Sequence, residues 1–480
     1  MKRLINQKPE LENIQTVRYG TMKTIMKYGT CASLLAMFML PATSVQASAF
    51  VQCPGDTNGD ATWTGDEVQP DNVVCKHLSS GDGYANMGNG YPQYGFGFGE
   101  LTGIPLEDSH DVGILNAQFT APTIVLNQGE EFYLTLSNTG MVERPDLFDS
   151  HTVHFHGFPN ASSVFDGVPD ASISINMGAS LTYYYNVVEP GTYLYHCHVE
   201  AAEHMQMGMQ GNLYVHPAQD AEYGPGTANP AGIEFPAGSG RFYSKFAYND
   251  ADVIKAYGQA GSTGYDKEYP LMLTGFDEAF HDAHIAVQPL PFADMKDTHH
   301  MFNGRGYPTT VENDDFFTTP ASQTLRTDGG TDTAQSIIAD RMAGFMGANP
   351  PPLGDPDLEA KYYKQAFNSQ PYSSRMEAVQ GQKLLLRITN LSITKFHTVT
   401  ALGLPMKVIG QGGRELQDKY DTASVNLGGG EAFDVVIDTL NVPPGTYYVY
   451  TNELHQLSNN QQSFGGAMTE IVVSAAPPAI

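Results

Sequence analysis

Basic residues are scarce in this chain. Its 480 residues include 25 lysines and arginines against 52 aspartates and glutamates, which gives a formal net charge of −27 at pH 7. The acidic residues are spread through the sequence rather than gathered in one tail. Such a charge argues against nucleic acid and anionic lipid as partners, because both are polyanions. It suits a soluble exported protein, or one that takes a cationic metal ion as substrate.

Hydrophobic runs long enough to cross a membrane are also lacking. The apolar run over residues 28–40 is broken by a proline and is too short for a span. Lys23 and Lys27 precede it, and Ala-Ser-Ala at 47–49 follows as a cleavage site. This order is typical of a secretory signal peptide, which we predict over residues 1–49. We therefore expect an exported protein that is periplasmic, on the cell surface or extracellular.

Cysteine is rare as well, with four residues in all. Cys31 lies within the predicted signal peptide, and Cys197 lies between two histidines. Cys53 and Cys75 are left as a pair, which we expect to form a disulfide in an oxidising compartment.

An acidic stretch, DTNGDATWTGDE over residues 56–67, lies between these two cysteines. Oxygen-bearing residues recur at alternate positions, as in the calcium loop of an EF-hand. Ala61 stands where the sharp turn of such a loop prefers glycine. The pattern predicts structural calcium, the alternative being a solvated acidic turn. The predicted ligands are Asp56, Asn58, Asp60, the carbonyl of Thr62, and Glu67.

Histidines are concentrated in two stretches, HTVHFHGFP over residues 151–159 and YHCHVEAAEHMQMGM over residues 195–209. Side chains in a strand alternate between its two faces. In the first stretch His154 and His156 therefore share one face, and His151 points to the other.

In the second stretch Cys197 points to one face and its two neighbours point to the other. If the two strands lie side by side, His151 and Cys197 meet, and the following loop can add His204 and Met209. Two imidazoles, a thiolate and a thioether are the ligands of a blue, or type 1, copper site with a weak axial methionine. Met205 and Met207 are competitors for the axial position.

The opposite side gathers imidazoles alone: His154, His156, His196 and His198. Such a cluster can hold one or more further coppers directly behind the first site. Because Cys197 is covalently joined to His196 and His198, an electron has a through-bond route from one site to the other.

The order HxHG followed by HCH-x5-H-x4-M resembles the multicopper oxidases and their relatives, the two-domain copper nitrite reductases. The five residues from Val199 to Glu203 are more than multicopper oxidases usually place between HCH and the next histidine, whereas the spacing from His204 to Met209 matches. The resemblance implies an all-β fold of two tandem cupredoxin-like Greek-key β-sandwich domains, and the alternating pattern of TIVLNQGEEFYLTLSNTG agrees with a sandwich.

The second half of the chain repeats the first. HTVTALGLP, over residues 397–405, corresponds to HTVHFHGFP, and PPGTYYVYTNEL corresponds to EPGTYLYHCHVE. Thr400 and Leu402 replace the paired histidines, and Thr451 or Asn452 replaces Cys197, so we expect no blue copper site in the second domain.

The predicted divisions are a signal peptide at 1–49, a largely irregular N-terminal segment at 50–103, a first cupredoxin domain at 104–217, a surface linker at 218–265, and a second domain at 266–480 with a partly helical insertion over about 313–370.

By this resemblance the inner site follows one of two family patterns. The trinuclear oxygen-reducing centre of multicopper oxidases needs twice as many imidazoles as the first domain supplies, and the second domain has none at the matching positions. Residues that could complete an irregular cluster are His299, His300, His397 and His455, with His281 and His284 as more distant candidates.

Copper nitrite reductases instead bind one catalytic copper with two histidines of one subunit and one from a neighbour's second domain. By position the first two are His156 and His196. The third falls at Asn452 or Glu453, where this chain has no imidazole, and His455 is the nearest substitute. An inner site between subunits implies a ring-like homo-oligomer, and we expect a homotrimer.

The candidate catalytic residues are His397, Glu453 and His154. His397 stands at the place of the catalytic histidine of nitrite reductases, and it and Glu453 are candidates for a proton relay. His154 stands where those enzymes have an acid, and His198 where they have no imidazole, which favours oxygen chemistry.

The sequence therefore predicts an oxidoreductase that passes electrons from an organic or metal-ion reductant, or from a redox protein, through a type 1 copper to an inner copper that reduces dioxygen. One alternative is a nitrite reductase that forms nitric oxide. Another, from a different class, is a blue-copper electron-transfer protein without turnover.

Overall fold

The structure is a computed structural model that describes residues 52–158, 162–251, 259–314, 323–325, 331–333 and 369–476. Nearly all regular structure in these residues is strand, arranged as two β-sandwiches that follow each other along the chain. The all-β prediction is confirmed. The predicted signal peptide and most of the insertion that we expect to be partly helical lie outside the described residues.

The first sandwich contains eight strands in two sheets of four. One sheet has the order β2-β1-β4-β6 and the other β3-β8-β7-β5. Its elements are β1 (Val73–Asn86), β2 (Pro92–Glu100), α1 (Ser109–Gly113), β3 (Ala121–Asn127), β4 (Glu131–Gly140), β5 (His154–His156), β6 (Ser180–Asn186), β7 (Gly191–His196), α2 (Ala201–Met207) and β8 (Gln210–His216).

Four short strands follow the first sandwich: β9 (Ile233–Glu234), β10 (Phe242–Tyr243), β11 (Lys245–Phe246) and β12 (Gly264–Tyr265). We expected residues 218–265 to be a linker on the surface, and this is only partly right. Tyr248 and Tyr265 are buried against Leu385, Ile409 and Val436 of the second sandwich. The segment therefore packs as an extra layer on that domain.

The second sandwich pairs a six-stranded sheet, β14-β13-β18-β23-β20-β21, with a five-stranded sheet, β17-β25-β24-β19-β22. Its elements are β13 (Lys267–Phe276), α3 (Glu278–Ile285), β14 (His299–Phe302), β17 (Met376–Val379), β18 (Lys383–Asn390), β19 (His397–Ala401), β20 (Met406–Gln411), β21 (Arg414–Thr422), β22 (Val425–Leu427), β23 (Glu431–Asp438), β24 (Gly445–Thr451) and β25 (Met468–Ser474), with a separate hairpin of β15 (Gln323–Leu325) and β16 (Thr331–Thr333) in the insertion.

The two sandwiches share a pairing pattern. In each, the first long strand runs parallel to a strand from the middle of the domain, β1 with β4 and β13 with β18. In each, the strand of the HxH or HCH position pairs antiparallel with its partner, β5 with β7 and β19 with β24. The internal repeat seen in the sequence is thus a repeat of strand pairing.

The glycine- and tyrosine-rich residues 83–103, which we expected to be irregular, instead form the end of β1 and all of β2. The run YGFGFG alternates aromatic residues, which enter the core, with glycines. A Cβ on Gly99 would lie 2.0 Å from the carbonyl oxygen of Asn116, and one on Gly95 would lie 2.5 Å from that of Met207. The glycines therefore allow other backbone segments to approach the strand closely, and here they do not mark a loop.

The N-terminal residues 52–72 contain no helix or strand, as predicted. The predicted disulfide between Cys53 and Cys75 is confirmed, and it ties this segment to the start of β1. Among the described residues the helices are short, and none has the length and apolar character needed to cross a bilayer.

Candidate copper centres

The predicted blue copper ligands converge at one end of the first sandwich. The Sγ of Cys197 lies 3.2 Å from Nδ1 of His204 and 3.7 Å from Nδ1 of His151, and all three side chains are buried. Metal–donor distances of about 2.0–2.3 Å place the donors of one ion roughly 3.2–3.8 Å apart. The buried thiol with two imidazole nitrogens turned towards it therefore fits a copper ion.

The local fold brings these residues together. Cys197 directly follows β7, and His204 lies in α2, whose C-cap residue is Gly208. Gly208 has φ of +117°, and a Cβ there would collide with Phe119. This turn returns the chain so that the carbonyl of Met209 accepts a hydrogen bond of 3.2 Å from the amide of Cys197. The residue after the helix is thereby held beside the thiol.

The three methionines of this segment occupy different environments. Met207 and Met209 are fully buried in the same core cluster as Cys197. Met205 instead lines a pocket on the other side of the strand pair, next to His198. Met205 is thus separated from the thiol, and Met209 remains the predicted axial ligand, with Met207 as its competitor.

The pKa values of the two histidines of this centre are shifted in opposite directions. Burial holds the pKa of His151 well below its ordinary value. Burial would also lower the pKa of His204, but the neighbouring Cys197 and Asp149 raise it to about 10. Asp149 Oδ2 lies 3.7 Å from His204 Nε2, so a carboxylate stands behind this ligand. Carboxylates in this position orient metal-binding imidazoles.

The inner imidazoles lie on the opposite face of β5 and β7, where His154 pairs with His196 in the strand register. Neighbouring ring centroids among the four are 4.9–5.5 Å apart. His156 Nε2 and His196 Nε2 approach to 3.0 Å. The structure therefore brings together all four predicted inner ligands.

Backbone carbonyls fix the orientation of three of these rings. Nδ1 of His154 donates to the carbonyl of Asp166 (2.7 Å), Nδ1 of His196 to that of Cys197 (2.7 Å), and Nδ1 of His156 to that of Gly430 (3.2 Å). Metal-binding histidines commonly donate their second ring N–H in this way.

Whether the inner cluster suits a cation can be judged from the facing nitrogens of His156 and His196. Burial lowers the pKa of both residues, to about 3 for His196, so the rings are neutral at neutral pH. With the proton on Nδ1, each Nε2 carries a lone pair, and two lone pairs then face each other across 3.0 Å. A copper ion bound by this cluster would relieve that repulsion.

A cavity of about 430 Å³ opens beside the inner cluster, between the two sandwiches. His156, His196 and His198 form one wall, and residues 391–396 and 429–430 of the second sandwich form the other. The second wall mixes apolar side chains with the hydroxyls of Ser392 and Thr394. A small acceptor molecule can therefore reach the imidazoles.

The candidate relay residues of the second sandwich are not at this cluster within the chain. His397 is buried, with Nε2 3.3 Å from Nδ1 of His300. Phe396, its neighbour in sequence, lines the cavity instead. Glu453 is about half exposed and lies 3.5 Å from His455. His154, the third candidate, is part of the inner cluster.

The remaining histidine candidates have structural partners. Both ring nitrogens of His281 contact backbone carbonyls, and His284 Nε2 lies 2.9 Å from Glu203. His299 Nε2 lies 3.0 Å from Glu278. These three belong to neither copper cluster.

The acidic loop at 56–67 is closed by its own hydrogen bonds. Asp56 accepts from the amides of Gly59 and Ala61, and Glu67 accepts from those of Thr57 and Thr64. Ala61 adopts φ of +63°, the left-handed conformation that the EF-hand turn requires. Calcium binding stays a prediction.

Some residues of the site were not predicted. Asp149 could have been found, because an acid two residues before His151 falls within reach of the same site. The carbonyl of Gly430 and the wall at 391–396 carry no such signal, since they enter through the packing of the two sandwiches.

Two family models match this chain. Residues 101–220 and residues 293–475 each match a model described as multicopper oxidase. The chain belongs to the multicopper oxidase family. Members of this family are copper-dependent oxidoreductases, and membership implies copper as the cofactor.

Relatives with curated descriptions match parts of the chain. Laccase abr2 of Aspergillus fumigatus is 30% identical over 200 residues, which cover 40% of this chain and 32% of the laccase. Iron transport multicopper oxidase fetC of Epichloe festucae is 33% identical over 105 residues, which cover 21% of this chain and 15% of that protein. The matches thus span about a third or less of the length of these relatives.

A solved structure resembles this fold over most of the chain. The blue copper oxidase from Nitrosomonas europaea has a TM-score of 0.53 and 18% identity, covering 84% of this chain and 86% of its own. This likeness confirms the cupredoxin-type fold of the multicopper oxidase.

Proposed function

We propose that this protein is an exported oxidase that passes electrons from a reductant through a type 1 copper to an inner copper site that reduces dioxygen. One observation carries the proposal. The Sγ of Cys197 faces His151 and His204, while the residues on either side of it, His196 and His198, belong to the imidazole cluster. This arrangement supports two candidate metal sites, back to back, connected by one short stretch of chain.

Copper bound at the two sites would supply one-electron transfer and the reduction of dioxygen. The protein contributes the path and the surroundings. His196 is bonded covalently to Cys197 and also donates from Nδ1 to its carbonyl, so the imidazole is coupled to the thiol residue twice. The cavity wall of residues 391–396 covers the cluster and limits the size of the acceptor that reaches it.

We propose three residues for proton delivery to the inner site. One of them can act within the chain, and the other two can act only at the inner site of a second subunit. His154 lies in the cluster, and its Nδ1 is held by the carbonyl of Asp166. His397 and Glu453 lie in the second sandwich away from this cluster, so a relay through them requires the second domain of a neighbouring subunit.

The reductant can be a metal ion, an organic molecule or a redox protein, and one group of residues favours a cation. Ligand atoms of Asp149, Glu203 and His204 lie within 4.8 Å of one another. Two carboxylates next to a type 1 ligand attract a divalent ion and place its electron close to the thiolate. Asp149→Asn is therefore expected to slow oxidation of a metal-ion reductant more than that of an uncharged phenol.

Copper content and product analysis test the function. The copper-loaded protein is expected to show intense thiolate-to-copper absorption and more than one copper per chain, and to consume oxygen with an added reductant. Nitric oxide release from nitrite in place of oxygen uptake would establish a nitrite reductase. A single copper with neither activity would establish an electron carrier.

Two variants connect this activity to the two sites. Cys197→Ser is expected to abolish the blue absorption and oxygen uptake while copper remains in the inner cluster. His196→Asn is expected to keep the blue absorption and lose oxygen uptake. The matched control is His77→Asn, a buried imidazole that contacts Ser137 away from both centres. Oxygen uptake that persists in Cys197→Ser would overturn the proposed route.

A further inference from the structure

A buried carboxylate stands behind the second wall of the inner cavity. Asp297 is 3% exposed and lies two residues before β14. Its Oδ2 accepts hydrogen bonds from the hydroxyls of Ser392 (2.8 Å) and Thr394, two residues that line the cavity on the wall opposite the inner imidazoles. A Cβ on Gly275 would lie 2.2 Å from the same oxygen, so the backbone packs tightly against the carboxylate and holds it in place.

The other oxygen of this carboxylate is bound by a glutamine whose orientation is fixed. Gln206 lies on α2, and its side-chain amide is placed between Oδ1 of Asp297 (3.2 Å) and the backbone amide of Asp277 (2.6 Å). A backbone N–H can only donate, so the glutamine oxygen faces Asp277 and the glutamine NH₂ group donates to Asp297. Both carboxylate oxygens therefore accept hydrogen bonds.

The direction of these hydrogen bonds determines what the cavity wall offers. A proton on Asp297 would find no acceptor among its three partners, so the carboxylate is the form that they bind. Burial raises the pKa of Asp297, with a smaller rise from Asp277, and the three hydrogen bonds oppose this rise. The hydroxyl hydrogens of Ser392 and Thr394 are committed to the carboxylate, and only their oxygen lone pairs remain for a molecule in the cavity.

One cation lies on the same wall. Lys395 lines the cavity, and its ammonium by itself would draw anions towards it. The negative charge of Asp297 is separated from the cavity by a single layer of hydroxyls, and it offsets this attraction. An anion that only accepts hydrogen bonds, such as nitrite, therefore meets lone pairs and a nearby negative charge. Dioxygen carries no charge and is little affected.

We propose that Asp297 makes this wall a hydrogen-bond-accepting surface, which admits neutral dioxygen to the inner site and disfavours anionic acceptors such as nitrite. The proposal rests on the proposed oxygen-reducing function and names the class of acceptor that the cavity selects. Asp297 acts through Ser392 and Thr394 and is a positioning residue. Water, the product of oxygen reduction, can donate to the two hydroxyl oxygens, whereas nitrite cannot.

Asp297→Asn in the copper-loaded protein tests the orientation of the hydroxyls. The Asp277 amide still fixes Gln206, so the new side chain must present its oxygen to Gln206 and its NH₂ group to the two hydroxyls. The hydroxyls then accept that bond, and their hydrogens turn towards the cavity. The variant is expected to bind azide, an anion that only accepts hydrogen bonds, about tenfold more tightly in a spectroscopic titration. The KM for dioxygen is expected to change much less, whereas a loosened wall would change both constants.

A matched control and an infrared measurement separate the hydroxyls from the charge. Asp294→Asn removes the same charge from an exposed acid three residues away and is expected to leave the azide affinity unchanged. In Asp297→Asn the stretching band of bound azide is expected to shift in D₂O, because exchangeable hydroxyls now donate to it. Adding Ser392→Ala and Thr394→Val is expected to abolish that shift. A shift that persists without the hydroxyls would overturn their proposed role.

Thr394→Val provides the test if Asp297→Asn does not fold. It replaces a hydroxyl of the wall by a methyl group of similar size and leaves the buried carboxylate in place. Its azide affinity is also expected to rise, because one repelling oxygen is removed. Unchanged azide affinity in both variants would overturn the proposal, while oxygen uptake by the wild type would leave the proposed function standing. Nitrite reduction by the wild type would overturn both.

Discussion

Cys197 divides the metal chemistry of the first sandwich between the two faces of one strand pair. Its sulfur faces two buried Nδ1 atoms, while the adjoining His196 presents Nε2 to the cluster on the other face. The division follows from the alternation of side chains in an extended segment, so it can be predicted from the four letters YHCH. The partners of the ligands cannot be predicted in this way, since most are backbone carbonyls.

The identity of the axial ligand of the type 1 copper can be tested by substituting Met209 and Met207, which are both buried in the same core as Cys197. Met209→Leu is expected to raise the reduction potential of the type 1 copper, because losing a thioether donor disfavours the oxidised ion. A rise of about 60 mV would be a tenfold change in the one-electron equilibrium. Redox titration of the blue absorption measures it.

Met207→Leu is the control, since Met207 is equally buried beside Cys197. It is expected to leave the potential within a few tens of millivolts, on the order of a threefold change in the equilibrium. If Met207→Leu raises the potential and Met209→Leu does not, the axial assignment passes to Met207.

At the scale of elements, short local patterns in the sequence predict the structure most reliably. The strands β5 and β7 and the disulfide follow from residues that are near each other in the chain or unique in type. The strand β2 was not predicted, because its glycines signal a loop when their neighbours in space are unknown. Close approach of the Asn116 backbone explains those glycines, and that contact is visible only in the folded chain.

The acidic loop is an element whose function the sequence predicts. Its left-handed Ala61 and its cross-loop hydrogen bonds to Glu67 agree with the predicted calcium loop. Calcium is expected to raise the thermal unfolding temperature of the wild type, because a ligand that binds the folded state stabilises it. Glu67→Gln is expected to remove this shift. The control is Asp66→Asn, an exposed acid of the same loop outside the ligand positions. No calcium shift in the wild type would leave the solvated turn as the correct interpretation.

A buried ion network joins the two sandwiches. Arg387 on β18 is fully buried and donates to Glu268 (2.8 Å) and to Thr192 of the first sandwich (3.0 Å), and Thr192 donates to Asp434 (2.5 Å). Burial would raise the pKa of Glu268, but Arg387 and His216 lower it to about 2. The Glu268 carboxylate therefore stays charged next to the guanidinium.

Removing the guanidinium tests this network. Arg387→Met is expected to destabilise the protein by about 3–5 kcal/mol, because it removes the buried guanidinium that pairs with Glu268 and Asp434. The control is Arg414→Met, which breaks the exposed pair with Glu189 and is expected to cost about 0–1 kcal/mol. Chemical unfolding followed by fluorescence measures both. Equal midpoints for the two variants would show that the network contributes nothing to stability.

At the scale of the molecule, the two sandwiches differ on corresponding faces. The first presents imidazoles where the second presents Tyr450 and Leu402. Several apolar side chains of the second sandwich are exposed, including Phe396 (62%), Leu402 (58%) and Leu454 (83%). Sequence repetition predicts that the two domains share a fold, but only their divergence distinguishes the imidazole face of the first from the corresponding face of the second.

We expect this apolar face to cover the inner cluster of a neighbouring subunit in a homotrimer. A surface of this kind indicates an interface, because monomeric proteins seldom expose large apolar patches. Light scattering after gel filtration is expected to give the mass of three chains. Leu402→Asp combined with Leu454→Asp is expected to yield monomers that keep the blue absorption and lose oxygen uptake, since the type 1 site lies within one chain and the inner site is completed by the next. The control is Val68→Asp, an equally exposed apolar residue of the N-terminal segment (74%). A wild-type monomer with full oxygen uptake would show that one chain completes the inner site by itself.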